Sequence, residues 1–429
     1  MSVPDHQRIV ITGMSINTPL GDTLEDFAEA LFAGRSAITR WRGLDTSRIY
    51  TKIGGDLTGY DISKKLASVA ERDGLEAAHR FRLLTKRLRW NVKISGLLAL
   101  DAVADARLDS AALGERFAAI VAGHNLSPAY TLAFFRQFVE EPDFIDPFIG
   151  LYGLDTVHPG IVSELLGIRG PIYTVGGACA SGNVALRSAI DEIRHHEMDA
   201  ALVLGAVLDF SPAELHSMAL MGAVSFRSFN DEPGRASRPF DMRREGFVPA
   251  QGGAALVLES LAHARARDAR IYAEVLCASA SSDANHEAHP SEEGQAALMT
   301  RALREAALAP EQIDYVSAHA TSTPLGDLTE IRAIKHVFGA HARELKINAT
   351  KSMLGHTCWA APTVETVAAV LQMRAGRLHP SINIEELDPE VDLDVCAGRS
   401  VECRPRHVLK NSFGFGGINS VSILRAFEE

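Results

Sequence analysis

Tyr173-Thr174-Val175-Gly176-Gly177-Ala178-Cys179-Ala180-Ser181-Gly182-Asn183 runs from an apolar strand through a turn of small residues into a helix, and it sets a cysteine at the junction. The free N–H groups and positive dipole end of a helix start stabilise a thiolate, and small flanking residues let a carbonyl reach sulfur. The helix is legible from Val184, Leu186, Ala189, Ile190 and Ile193, an apolar stripe opposed by Arg187, Asp191 and Glu192. Cysteine is equally a small core residue. Position alone therefore leaves two readings of Cys179 open, nucleophile and inert core thiol.

Working outward, the 429 residues are 46% hydrophobic, enough for a large duplicated domain or two to three smaller ones. The five cysteines form a sparse, odd set without a CxxC pair, which speaks against a disulfide framework or a zinc site and suits a reducing cytoplasm. No apolar run is long enough to span a bilayer, so neither export nor membrane insertion is expected. The net charge of −11 argues against nucleic acid as a partner. Against that acidic background, Arg80, Arg82, Lys86, Arg87, Arg89 and Lys93 fall in what reads as one helix. They form either a solvated basic face or a dock for an acidic partner.

Upstream of the cysteine, a strand from Arg8 to Gly13 and a turn through Asp22 lead to a helix from Thr23. The segment from Ser36 to Ala77 is irregular in pattern, helix Ser95–Ala106 and strand Phe117–Gly123 follow, and the aromatic-rich Tyr130–Pro147 reads as a lid or partner surface. Downstream come strands Ala200–Val207 and Gly252–Glu259, which close a first half at about residue 260. A second run of the same order begins at Ile271: helix Gln295–Ala307, strand Tyr315–Ala318 and apolar helix Pro362–Arg374. The expected fold is α/β with two similar halves, 1–260 and 261–429.

The second half carries the polar clusters. His319 ends a strand and precedes Thr321, Ser322 and Thr323. Lys351 and His356 flank Gly355, and Asn411-Ser412-Phe413-Gly414-Phe415-Gly416-Gly417 packs glycines among apolar residues, as a loop presenting N–H groups to an oxyanion does. Packing does not explain histidines in such settings.

With these stretches in view, nearly the whole chain resembles the β-ketoacyl-acyl carrier protein synthases, the condensing enzymes of fatty-acid and polyketide assembly with a thiolase-like, layered α-β-α-β-α fold. The resemblance rests on Gly177–Gly182, Arg238-Pro239-Phe240-Asp241 through Gly246-Phe247-Val248, His319–Asp327, Lys351–His356 and Asn411–Gly417, in that order. It implies Cys179 as the nucleophile that takes an acyl group from a 4'-phosphopantetheine thioester, and His319 and His356 as the pair that polarises the malonyl carbonyl. It implies Lys351, paired with Glu330, as the residue ordering the site. The N–H groups of Cys179 and Phe415 would form an oxyanion hole, with Phe415, Gly416 and Gly417 as a gate and Thr321 and Thr323 contacting the pantetheine arm. The implied partner is acyl carrier protein, docked on Arg80, Arg82, Lys86, Arg87 and Arg89, and the implied assembly is a homodimer. No metal or other bound cofactor is implied.

Four departures narrow the resemblance. The chain has Gly123-His124-Asn125-Leu126-Ser127 where a glycine-rich turn is usual, Cys358-Trp359-Ala360-Ala361-Pro362 after His356, Ala250-Gln251-Gly252 in place of Gly-Glu-Gly, and Ile418 where threonine is common. Trp359 and Pro362 are expected to narrow or reshape the acyl tunnel. These features are similar to synthase-like proteins of polyketide β-branching cassettes that only decarboxylate malonyl-carrier protein, although the retained Cys179 fits condensation. A silent partner of the chain-length-factor kind would be expected to lack the cysteine. A cysteine hydrolase leaves Lys351 and His356 without a role.

Overall fold

A computed structural model describes residues 3–287 and 289–428. Its centre is one mixed sheet of 10 strands. From one edge run Ile172–Val175, Phe117–Ala122, Ala200–Gly205, Gly253–Ser260 and Ile9–Asn17; then Ala273–Ser282, Ile418–Ala426, His407–Gly414, Tyr315–Ser317 and Lys346–Asn348. The two sets of five are mirror images in order. In each, the second strand along the chain lies parallel between the third and the fourth, and the fifth and first are added antiparallel. The sets meet where Ile9, Val10 and Ile11 pair with Val275, Glu274 and Ala273, a seam of three residues.

Phe117–Ala122 and Ala200–Gly205 are continuous apolar runs because both faces are covered, the pattern of parallel strands clothed by helices. Between the two sets lie the helices Ser181–His195 and Ala361–Ala375. The second is buried on nearly every side, and so it is built of Ala, Val and Thr instead of an amphipathic stripe. Its Thr363 and Pro362 press on Gly182, where a Cβ would come within 2.9 Å of three atoms; glycine is what lets the two central helices touch. Helices Trp90–Ala106 and Val157–Leu166 cover the first set from outside, and Glu292–Glu305 and Pro324–Phe338 cover the second. Three apolar clusters fill the gaps, one central and two beneath the outer helices. The layered α-β-α-β-α arrangement implied by the resemblance is the one found.

Several boundaries differ from the expectation. The first strand continues through Met14–Asn17, since the Ser15 hydroxyl is satisfied by Leu98 O at 2.7 Å and can be buried. The segment from Ser36 to Ala77 holds a hairpin, Ile38–Arg40 with Ile53–Gly55, and the helix Ile62–Asp73 capped by Asp61. The basic stretch is two helices, Leu75–Thr85 and Trp90–Ala106, with the break at residues 86–89. No helix among the described residues is long and apolar enough to cross a membrane.

Candidate active site

Cys179 sits in the turn Ala178–Ala180 at the start of the central helix Ser181–His195. Ala178 takes a positive φ of 47°, and the turn is locked by Ser181, whose hydroxyl accepts from Gly177 N–H at 2.9 Å and donates to Ala178 O at 2.7 Å. From the other half, Gly414 comes against this turn; a Cβ there would meet Gly177 O at 2.7 Å. The thiol is 8% exposed. Burial pushes its pKa up to about 11, against the pull of Lys351 and of the N–H groups of Cys179 and Phe415.

His319 follows the strand Tyr315–Ser317, and its loop is held by Glu330, whose carboxylate accepts from His319 N–H and Ala320 N–H at 2.8 Å each and from Asn411 Nδ2 at 2.8 Å. Burial lifts the Glu330 carboxyl to about 7. A buried ion pair, Arg238 with Asp241 at 2.8 Å, shapes the neighbouring loop, from which Arg238 N–H reaches Ser322 Oγ at 3.0 Å and Gly246 N–H reaches Ser322 O at 3.0 Å. His356 is 1% exposed. Its Nδ1 accepts from Cys358 N–H at 3.2 Å, which places the ring proton on Nε2, and Nε2 has no partner. The rings of His319 and His356 stand 5.6 Å apart and nearly perpendicular. Both titrate well below the ordinary range, chiefly through burial and then the Lys351 charge, which favours the neutral ring in each.

The partner of Lys351 corrects the expectation. Its ammonium pairs with Glu365 and donates to His319 O at 2.6 Å; Glu330 is engaged elsewhere. Glu365, one acid within the apolar helix Ala361–Ala375, does not stand out in the sequence because that helix reads as pure core. A carboxylate in such a setting is itself a signal of a buried cation.

These groups meet in a cavity of about 180 Å³ lined by Cys179, His319, His356, Phe247, Phe413, Thr321, Thr323 and the hairpin tip with Phe415 and Gly417. Phe415 is 41% exposed at the mouth, and Gly416 N–H bonds Glu287 O at 3.3 Å. Thr321 and Thr323 hydroxyls lie 3.0 Å apart. Larger cavities exist, of about 280, 310, 560 and 810 Å³, and Cys277 lines one of them, but none of these brings a thiol together with a histidine.

The basic residues lie elsewhere. Arg80 donates to Leu165 O at 3.1 Å and to Glu164 O, Arg89 donates to Tyr152 O and covers the Tyr130 ring at 4.4 Å, and Arg87 covers the Phe148 ring at 5.4 Å. Three of the five expected docking residues therefore brace the surface around residues 128–166. Arg82 and Lys86 are exposed. Of the four departures, Trp359 stacks on His124 at 4.5 Å between centroids, and His124 abuts Gly176 beside the cysteine turn.

Comparison with known proteins fits this geometry. Residues 6–264 match the model of the beta-ketoacyl synthase N-terminal domain and residues 272–385 that of the C-terminal domain. The chain is 35% identical to 3-oxoacyl-[acyl-carrier-protein] synthase 2 of Coxiella burnetii, over 99% of this chain and 100% of that one. It is 32% identical to the polyketide biosynthesis malonyl-ACP decarboxylase PksF of Bacillus subtilis, over 98% and 97%. Among solved structures it superposes, with a TM-score of 0.85 and 28% identity over 98% and 99% of the chains, on a type II polyketide ketosynthase bound to its acyl-carrier protein and a hexaketide. The chain belongs to the β-ketoacyl synthase family.

Proposed function

We propose that the chain, made of halves 1–260 and 261–429, is a condensing acyltransferase acting on carrier-bound thioesters. The observation that carries this reading is the one cavity holding a thiol and two imidazoles, each with a buried ring nitrogen that has no hydrogen-bond partner. Cys179 sulfur attacks an acyl thioester, the new S–C bond forms, and the pantetheine thiol leaves with the proton. A malonyl thioester then enters past Thr321 and Thr323. Its C–CO2 bond breaks, and the electron pair moves onto the thioester oxygen, where His319 and His356 donate; preorganised donors in a dry site are the largest source of such stabilisation. The enolate carbon attacks the acyl carbon, whose oxygen lies against the N–H groups of Cys179 and Phe415, and the thiolate departs. Lys351, held by Glu365, fixes the His319 loop through its carbonyl. Arg82 and Lys86, and less directly Arg80, Arg87 and Arg89, offer charge to an acidic carrier protein. The exposed Phe135, Phe138, Val139 and Phe144, with the edge strand Ile172–Val175, support a homodimer.

A second reading has its own observation. The Trp359–His124 stack stands beside the cysteine turn, where an acyl chain on sulfur would need room. This favours malonyl decarboxylation alone, with the enolate carbon taking a proton to give an acetyl thioester. The test is incubation with malonyl-carrier protein, with and without an acyl-carrier primer, followed by intact mass spectrometry. Acylated Cys179 with a β-ketoacyl product supports condensation. Acetyl-carrier protein as the only product, formed equally by Cys179→Ala, overturns it.

A further inference from the structure

Lys410 lies on the strand His407–Gly414, opposite Ser422 on one neighbouring strand and Ser317 on the other, and it is 0% exposed. Burying an ammonium costs several kcal/mol unless it is paired, so such a group is retained for a reason. No carboxylate pairs with it among the described residues. Its Nζ donates at 2.6 Å to Oδ1 of Asn183, one turn into the helix that begins just after Cys179. Asn183 is fixed in turn by Ser412 Oγ at 3.3 Å. Meanwhile the second oxygen of Glu365, the acid that neutralises Lys351, is buried and lacks a hydrogen-bond partner. The charged and titratable groups that act on Lys410 are Glu365, which favours its protonation, and Lys351, which opposes it; Lys410 in turn acts on His319.

We propose that Lys410 is a positioning residue: its ammonium anchors the nucleophile helix through Asn183 and provides a second buried positive charge behind the Lys351–Glu365 pair, which favours the thiolate of Cys179. Two lysines and one acid give this buried group an excess of basic side chains, fitted to a site that must hold a thiolate and then an enolate. Burial brings the Lys410 amine down to about 7, so the charge is switched within the working range of an enzyme. Below that pH the thiolate is favoured; above it the charge is lost and the favour withdrawn.

The inference rests on Cys179 being the reactive thiol, and its test needs no turnover, so failure of the condensing reading shows in the product assay and not here. Cys179 alkylation by iodoacetamide is followed by intact mass spectrometry from pH 6 to pH 9. Lys410→Gln keeps a donor for Asn183 and drops the charge, whereas Lys410→Arg keeps the charge at every pH. The Gln variant is expected to react about fivefold more slowly than wild type at pH 6 and at the same rate at pH 9. The Arg variant is expected to match wild type at pH 6 and exceed it by about the same factor at pH 9. Equal rates for Gln and wild type at pH 6 overturn the proposal. Wild type alone gives a second reading that no folding defect touches: its log rate should climb with less than unit slope across the region of pH 7. A unit slope throughout rejects the proposal.

Discussion

The third strand of each half ends in a loop that feeds a central helix, and the two loops differ in length and content. After Ile172–Val175 the chain spends five residues, 176–180, all small, before its helix; after Lys346–Asn348 it spends twelve, 349–360, and places Lys351, His356 and Trp359 within them. The short connection puts sulfur directly at a helix start. The long one puts a cation and a ring donor opposite it. The second strands differ likewise: Phe117–Ala122 is followed by His124, which stacks on Trp359, and Tyr315–Ser317 by His319, which lines the cavity. One topology therefore brings the thiol of the cavity from one set of strands and its two imidazoles from the other. In the proposed reaction neither set would suffice alone.

The largest effect that would break this contrast lies in the imidazole pair. The double variant His319→Ala/His356→Ala is expected to lose roughly 10⁴-fold in CO2 release from malonyl-carrier protein, while a normal rate would remove the second half from the chemistry. Next is the buried pair that supports it. Lys351→Met leaves Glu365 charged and unpartnered and should cost about 3 kcal/mol in urea unfolding, with much of it regained in Lys351→Met/Glu365→Met; equal losses in the two would show that the pair contributes by packing alone. The smallest effect sharpens the contrast between the two second-strand histidines. Trp359→Gly, which frees His124, is expected to raise Cys179 loading by an octanoyl thioester roughly tenfold over wild type and leave acetyl loading unchanged, as read by intact mass. No gain for octanoyl would place the limit on chain length elsewhere.

His319, Lys351 and His356 were legible as candidates because polar types follow strand ends where packing offers no reason for them, and Cys179 was legible as a thiol at a helix start, with a core reading open beside it. Glu365 and Lys410 were not, since each is a lone charge inside an element that reads as core, and their value depends on which other buried charge the fold brings near. The duplication was legible in the order of elements, whereas the basic stretch reads as one helix and is two. Nothing at residues 86–89, neither proline nor glycine, marks the break; it is set by Arg89 turning onto Tyr130 and Tyr152 O, a tertiary contact.

The strand Ile418–Ala426 lies between Ala273–Ser282 and His407–Gly414, interior to its set of five although it is the last strand made. Synthesis thus completes the sheet from within. Until that strand emerges from the ribosome, Ala273–Ser282 keeps an unsatisfied edge, and part of the apolar surface of the central helix Ser181–His195, which rests on both strands, is uncovered. A chain short of that strand holds its thiol but lacks the cover for a strand edge and for part of an apolar helix, the kind of surface through which incomplete chains associate.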